Sequence, residues 1–210
     1  MPDKAHWDNV YGSRAIDTVS WYQEHAERSL DLIRKLGIAR DEPVIDVGGG
    51  ASVLVDDLLA DGYADLTVLD LSRAALTTAR TRLGVRAESV RWIEGDVTDI
   101  ELPHGHYALW HDRAVFHFLT TPEQRDAYVS RVLHAVRPGG HVIVATFAED
   151  GPTECSGLPV MRYDATRLHG EFGASFELLG HEREEHVTPT GRLQSFLYCF
   201  CRRGQLQPNV

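Results

Sequence analysis

The chain has 210 residues, of which 43% are hydrophobic and 25% charged, and its formal net charge is −10. That length suits one domain, 1–210, with room for a sizeable core. The acidic balance speaks against nucleic acid as a partner, because phosphate binding needs a basic surface. No apolar run approaches the ~20 residues of a membrane helix, and the polar opening Met1-Pro2-Asp3-Lys4 has no signal-peptide character. The expectation is therefore a cytoplasmic protein without a membrane partner. Three cysteines with no C-x-x-C pair are too few for a disulfide framework and wrongly spaced for structural zinc. The histidines show no i, i+4 pairing beside carboxylates, so no metal site is expected.

Residues 6–36 read as one or two helices laid before the first strand. Residues 29–36 carry apolar side chains at helical spacing, and Gly37 stops them. Tyr11, Trp21 and Tyr22 are many aromatics for a leader segment. They read either as packing onto the sheet edge or as a lid closing over a bound cofactor. Next comes Pro43-Val44-Ile45-Asp46-Val47-Gly48-Gly49-Gly50-Ala51-Ser52. Here a buried strand ends beside a carboxylate and passes through three glycines into a helix over 53–61. Such glycines let a ligand approach the main chain with no Cβ in the way. The dinucleotide fingerprint G-x-G-x-x-G is broken by Val53.

A second strand over 64–70 ends on Asp70, about where a strand-terminal acid accepts from a ribose. Ser72 is placed to cap the helix that follows. The third strand, 90–96, ends on Asp96. Three acids in succession at the carboxyl ends of strands mark the edge where open α/β sheets bind ligands. The fourth strand, 107–113, closes on His111-Asp112-Arg113, with His117 following as expected core. A helix then runs from Thr121-Pro122 to about residue 137. Pro138-Gly139-Gly140 reads as a turn into a fifth strand, 141–147. The segment 148–167 reads as a long loop carrying Cys155, either a substrate-site thiol or an inert one. Strand-like runs at 176–181 and 193–201, joined through 188–191, read as a closing antiparallel pair. Cys199 and Cys201 are expected in the core, and 202–210 as a tail.

In this order, D-V-G-G-G-A-S, V-L-D-L-S, E-G-D-V, H-D-R-A and R-P-G-G-H-V-I-V resemble the class I S-adenosylmethionine (SAM) dependent methyltransferases over residues 6–201. Ser52 departs from the last glycine of their D-x-G-x-G-x-G signature. The resemblance implies a Rossmann-like three-layer α/β sandwich over 40–201, with a seven-stranded, mostly parallel sheet whose last strand is antiparallel. The N-terminal helices, 6–36, would form its lid. It also implies SAM as cofactor and S-adenosylhomocysteine as product. Gly48, Gly49 and Gly50 would pass beneath the methionine part, with Asp46 ordering the turn or reaching its amino group. Asp70 would bind the ribose and Leu71 would lie against the adenine. Asp96 and the Val97 amide would read the adenine edge, and Tyr11, with Trp21 in the lid, would close on the cofactor.

His111 is the candidate base or orienting group, with Asp112 as its helper. The alternative has His111 merely lining the pocket and Asp112 capping the next helix. The expected activity is methyl transfer to a small-molecule acceptor. A protein side chain of the lysine type is the other acceptor class, and a nicotinamide-dependent oxidoreductase is the more distant alternative.

Overall fold

The computed structural model describes residues 3–13 and 15–205. Its centre is a seven-stranded sheet in the order β3-β2-β1-β4-β5-β9-β8. The strands are β1 (Val44–Val47), β2 (Leu66–Asp70), β3 (Val90–Glu94), β4 (Tyr107–Arg113), β5 (Val136–Phe147), β8 (Phe176–Val187) and β9 (Leu193–Arg203). β1 to β5 are parallel, and β9 alone is reversed, antiparallel to both β5 and β8. The seven-stranded, mostly parallel sheet with a reversed last strand is thus as the resemblance implies.

Helices cover both faces, which explains why β1 and β2 are buried along their whole length and read as continuous apolar runs. On one face, α2 (Glu27–Lys35), α3 (Leu54–Ala60) and α4 (Arg73–Leu83) bury Leu32, Leu58 and Leu76 against Leu109, Ile143 and Phe147. On the other, α5 (Pro122–Ala135) and α6 (Ala165–Phe172) bury Tyr128, Val132 and Phe172 against Trp110, Val142 and Val144. Alternate residues of β4 and β5 therefore serve opposite cores, as the two-residue strand period requires. Cys199 and Cys201 lie in the second core as expected. The first helix, α1 (Lys4–Ser13), packs on α4.

Three local expectations give way. The R-P-G-G turn lies inside β5: the register jumps from Tyr107↔Val136 to Leu109↔His141, so Pro138-Gly139-Gly140 bulges out of the ladder. Proline has no N–H for that ladder, and Gly139 adopts φ +76°. The segment 148–167 is not an open loop. It folds a small hairpin, β6 (Glu154–Cys155) with β7 (Leu158–Pro159), and α6 begins at Ala165 after an Asp164 cap. Finally, β9 runs on through Arg202 and Arg203, so the tail starts later; its residues 206–210 lie outside the described residues. Among the described residues no helix is long and apolar enough to cross a membrane.

Candidate functional site

β1 delivers Asp46 to the rim of the sheet, and the chain then turns sharply over Gly48-Gly49-Gly50. Gly48 has φ +70°, and a side chain there would overlap Val115. A Cβ on Gly49 would overlap the Asp46 carboxylate, and one on Gly50 the Asp70 carboxylate. The turn is held by Gly48 N–H donating to Leu69 O at 2.7 Å and Gly50 N–H donating to Asp70 Oδ2 at 3.0 Å. Ser52, the residue that departs from the glycine pattern, accepts the Leu54 N–H at 3.1 Å and starts α3.

Beside this turn lie two adjoining clefts. One spans about 680 Å³, counting space open to solvent. Asp70, Leu71, Gly95 and Val97 form its inner wall, and Trp7, Tyr11 and Trp21 its roof. The other, about 580 Å³, is walled by Ser29, Asp46, Gly49, Ser52 and His111. Gly48, Tyr11, Trp21 and Arg113 border both.

The aromatic roof is built by α1 and the turn at residues 19–21 that follows the 310 helix Ile16–Thr18. Trp7 and Tyr11, one helical turn apart, stack at 6.2 Å, and Trp21 meets both edge-on. α1 is moored by Asp8, whose Oδ1 accepts from Ser72 Oγ at 2.7 Å and from Ala74 N–H at 3.3 Å. Lys4 and Ser72 hold the Asp8 carboxyl down at about 2. Trp7 and Trp21 pack against the first core and also line the cleft.

Asp70 is 8% exposed and accepts the Ser72 N–H at 2.7 Å as well as that of Gly50. Burial nevertheless pushes its carboxyl up to about 6. In the second cleft, His111 is pinned on both sides: Nδ1 to Asp46 Oδ1 at 2.7 Å and Nε2 to Ser29 Oγ at 2.9 Å. Asp46 and His111 are register partners on β1 and β4, so the pair is set by the sheet itself. The other Asp46 oxygen, Oδ2, is buried and has no partner among the described residues.

Asp112, the next residue of β4, faces the opposite core. Its Oδ1 accepts the Val115 N–H at 2.8 Å, and its Oδ2 the Phe116 N–H at 3.0 Å and the Tyr128 hydroxyl at 2.6 Å. It walls neither cleft, and strand alternation is the reason. These bonds tie the turn after β4 to α5. Asp96 also stands outside the walls, bonded to Thr98 N–H and Oγ1 at 2.8 and 2.6 Å, because β3 ends at Glu94. Gly50 lies beneath the walls rather than in them. The remaining predicted residues meet at the clefts: Tyr11, Trp21, Asp46, Gly48, Gly49, Asp70, Leu71, Val97 and His111. Sequence reasoning left Trp7 and Arg113 without roles. The i, i+4 spacing of Trp7 to Tyr11, and the i, i+2 spacing of His111 to Arg113, are the signals that place them.

Residues 44–140 match the family model described as a methyltransferase domain. Over that segment the chain is similar to methyltransferase domains. It is 23% identical over 150 residues to the eEF1A lysine and N-terminal methyltransferase of Mus musculus, a match covering 69% of this chain but only 21% of that protein. The chain thus spans about a fifth of the length of that curated relative. Among solved structures it resembles one described by the conversion of a disulfide bond into a thioacetal group during echinomycin biosynthesis. The TM-score is 0.76 at 20% identity, covering 97% of this chain and 93% of that one. It also resembles the Burkholderia thailandensis 1,6-didemethyltoxoflavin-N1-methyltransferase, bound to its substrate and S-adenosylhomocysteine. There the TM-score is 0.69 at 20% identity, covering 96% and 84% of the two chains. These likenesses are of fold.

Proposed function

We propose that this methyltransferase transfers the methyl group of SAM to a small-molecule acceptor in the cytoplasm. The observation that carries the reading is the buried, unpartnered Asp46 Oδ2 beside a glycine cradle that a single Cβ would fill. A buried carboxylate oxygen without a donor is costly, and an ammonium such as that of the cofactor's methionine part satisfies it. In the first cleft Asp70 has the acceptor capacity to take ribose hydroxyls, with Leu71 and Val97 against the base. When bound, SAM supplies a methyl group already activated by its sulfonium.

What remains for the chain is positioning and exclusion of water. Alignment of reacting groups is worth about 7–11 kcal/mol in favourable cases. The Trp7-Tyr11-Trp21 roof covers part of the cleft with aromatic surface. His111 acts as a positioning residue here: held by Ser29 and Asp46, it fixes the carboxylate that faces the cofactor. The roof also favours a small acceptor, since a folded protein would have to displace α1 from its Asp8 mooring. Three unpaired cysteines agree with a reducing compartment.

Calorimetric titration with S-adenosylhomocysteine and with NAD tests the cofactor. We expect binding of the first alone, and its loss in Asp46→Ala. Transfer of labelled methyl groups into the metabolite fraction of a cell extract tests the acceptor. Label appearing solely on protein would transfer the assignment to the lysine-type reading that the curated relatives support.

A further inference from the structure

The charged and nucleophilic groups around the two clefts restrict which acceptor the methyltransferase can use; this inference rests on the SAM reading above. The reading commits the free oxygen of Asp46 and the Asp70 carboxylate to the cofactor. Both nitrogens of His111 are engaged. The thiol of Cys155, which walls the first cleft, is held protonated, since burial pushes it up to about 12. Burial raises the Tyr11 hydroxyl as well. Among the described residues of the walls, no unengaged base remains to deprotonate an acceptor.

Among the described residues of the walls, the one cation is Arg113. It borders both clefts and is one-tenth exposed. Its Nε donates to the Tyr198 hydroxyl at 2.9 Å, Nη1 to Trp21 O at 3.4 Å and Nη2 to Glu184 at 3.4 Å. A guanidinium has five N–H groups, so two have no partner among the described residues. The remaining surface near it, Trp7, Val115 and Phe118, is aromatic or aliphatic.

We propose that the acceptor is a small apolar or aromatic anion, its carboxylate, phenolate or thiolate held by Arg113, and not an ammonium of the lysine type. In the transfer, a lone pair of the anion forms the bond to the methyl carbon, and the electron pair of the C–S bond stays on sulfur. The negative charge of the acceptor and the positive charge of the sulfonium cancel, and no proton has to leave. An ammonium acceptor would need a base that the walls lack and would lie against the guanidinium.

The test uses the full chain saturated with S-adenosylhomocysteine, and reads the affinities of benzoate, benzamide and benzylammonium by ligand-observed NMR at pH 8. Benzoate is expected to bind at least tenfold more tightly than the other two. That preference should fall below threefold in Arg113→Met. Because this variant leaves the Glu184 carboxylate without its cation, the double variant Arg113→Met, Glu184→Gln is measured beside it and should show the same loss. Equal or tighter binding of benzylammonium, no binding of benzoate, or a preference that survives in both variants would overturn the proposal.

The cofactor's own carboxylate is the other source of an anion. Comparing S-adenosylhomocysteine with 5′-methylthioadenosine, which lacks the amino-acid part, separates the two. A tenfold loss confined to S-adenosylhomocysteine in Arg113→Met assigns the guanidinium to the cofactor and removes it from the acceptor. Failure of S-adenosylhomocysteine to bind the wild-type chain would instead remove the methyltransferase reading beneath it.

Discussion

Asp70 shows how burial can overrule hydrogen bonding. Two backbone N–H groups favour its charged form, yet desolvation is larger, and the charges of Asp46 and Asp8 add to it. A carboxyl at about 6 in the folded chain binds more protons than the unfolded chain across the interval from about 4 to 6. Stability of the ligand-free protein therefore falls as pH rises through that interval, and Asp112, also pushed up to about 6 by burial, adds to the trend. Ribose hydroxyls donate to the anion, so cofactor affinity runs the other way. We expect the Kd for S-adenosylhomocysteine to be flat above pH 7 and to rise as pH drops below about 6, approaching tenfold per unit. In Asp70→Asn that dependence should disappear; calorimetry from pH 5 to 8 decides it. Gly49→Ala probes the neighbouring acid. Its Cβ must displace the Asp46 carboxylate and so loosen the bond to His111, at a cost of about 1–3 kcal/mol in thermal unfolding and with loss of cofactor binding. Asp46, Asp70 and the glycines were legible in the sequence because strand-end acids and glycines advertise themselves locally. The face of Asp112 was not, since it depends on which core β4 turns each residue toward.

The elements were legible where a periodic run and a turn residue coincided, as in α4 after Ser72 and the β8–β9 pair around Gly191. They were obscured where tertiary pairing overrode local signals: Pro138-Gly139-Gly140 looks like a turn but is a bulge held between β4 and β5. Likewise β6 and β7 are too short to carry a period, and only their packing with the first core reveals them. α1 is the element on which access depends. Asp8 bonds Ser72 and Ala74 at the start of α4, so it is at once a cap for α4 and the mooring of the roof. Asp8→Ala should cost about 1 kcal/mol of stability, the usual loss of a cap. Release of S-adenosylhomocysteine, followed by tryptophan fluorescence in stopped flow, should become severalfold faster. An unchanged release rate would mean that α1 does not gate the cleft. α5 has a different tie, the buried chain Trp110 Nε1 to Tyr128 to Asp112 at 2.9 and 2.6 Å. Tyr128→Phe strands both ends of it and should cost about 1–3 kcal/mol while leaving cofactor affinity unchanged, because neither cleft borders it.

Across the whole molecule, the roof segment and α2 are tied to the far edge of the sheet, not only to the strands beneath them. Glu182 on β8 receives Arg28 at 2.8 Å and Lys35 at 2.6 Å, both from α2. Gln23 donates to Glu184 at 3.0 Å, and His186 meets Ser20 O at 2.8 Å. The reversed strand β9 is what makes this possible, since it returns the chain so that β8 runs out beneath α2 as the edge. Lys35 and Arg28 hold the Glu182 carboxyl below the usual range, so its contribution is complete above about pH 4.5 and is lost as pH falls below it. Single surface pairs contribute about 0–1 kcal/mol, but one carboxylate shared by two cations of one helix resists fraying at both ends. Glu182→Gln should therefore raise hydrogen exchange of the amides of α2 with little change in β1, at low ionic strength and pH 7. In 1 M salt, where screening acts within about 3 Å, wild type and variant should exchange alike. Equal exchange at low salt would show that packing of Leu32 and Ile33 alone holds α2, and that the sheet edge does not govern the roof.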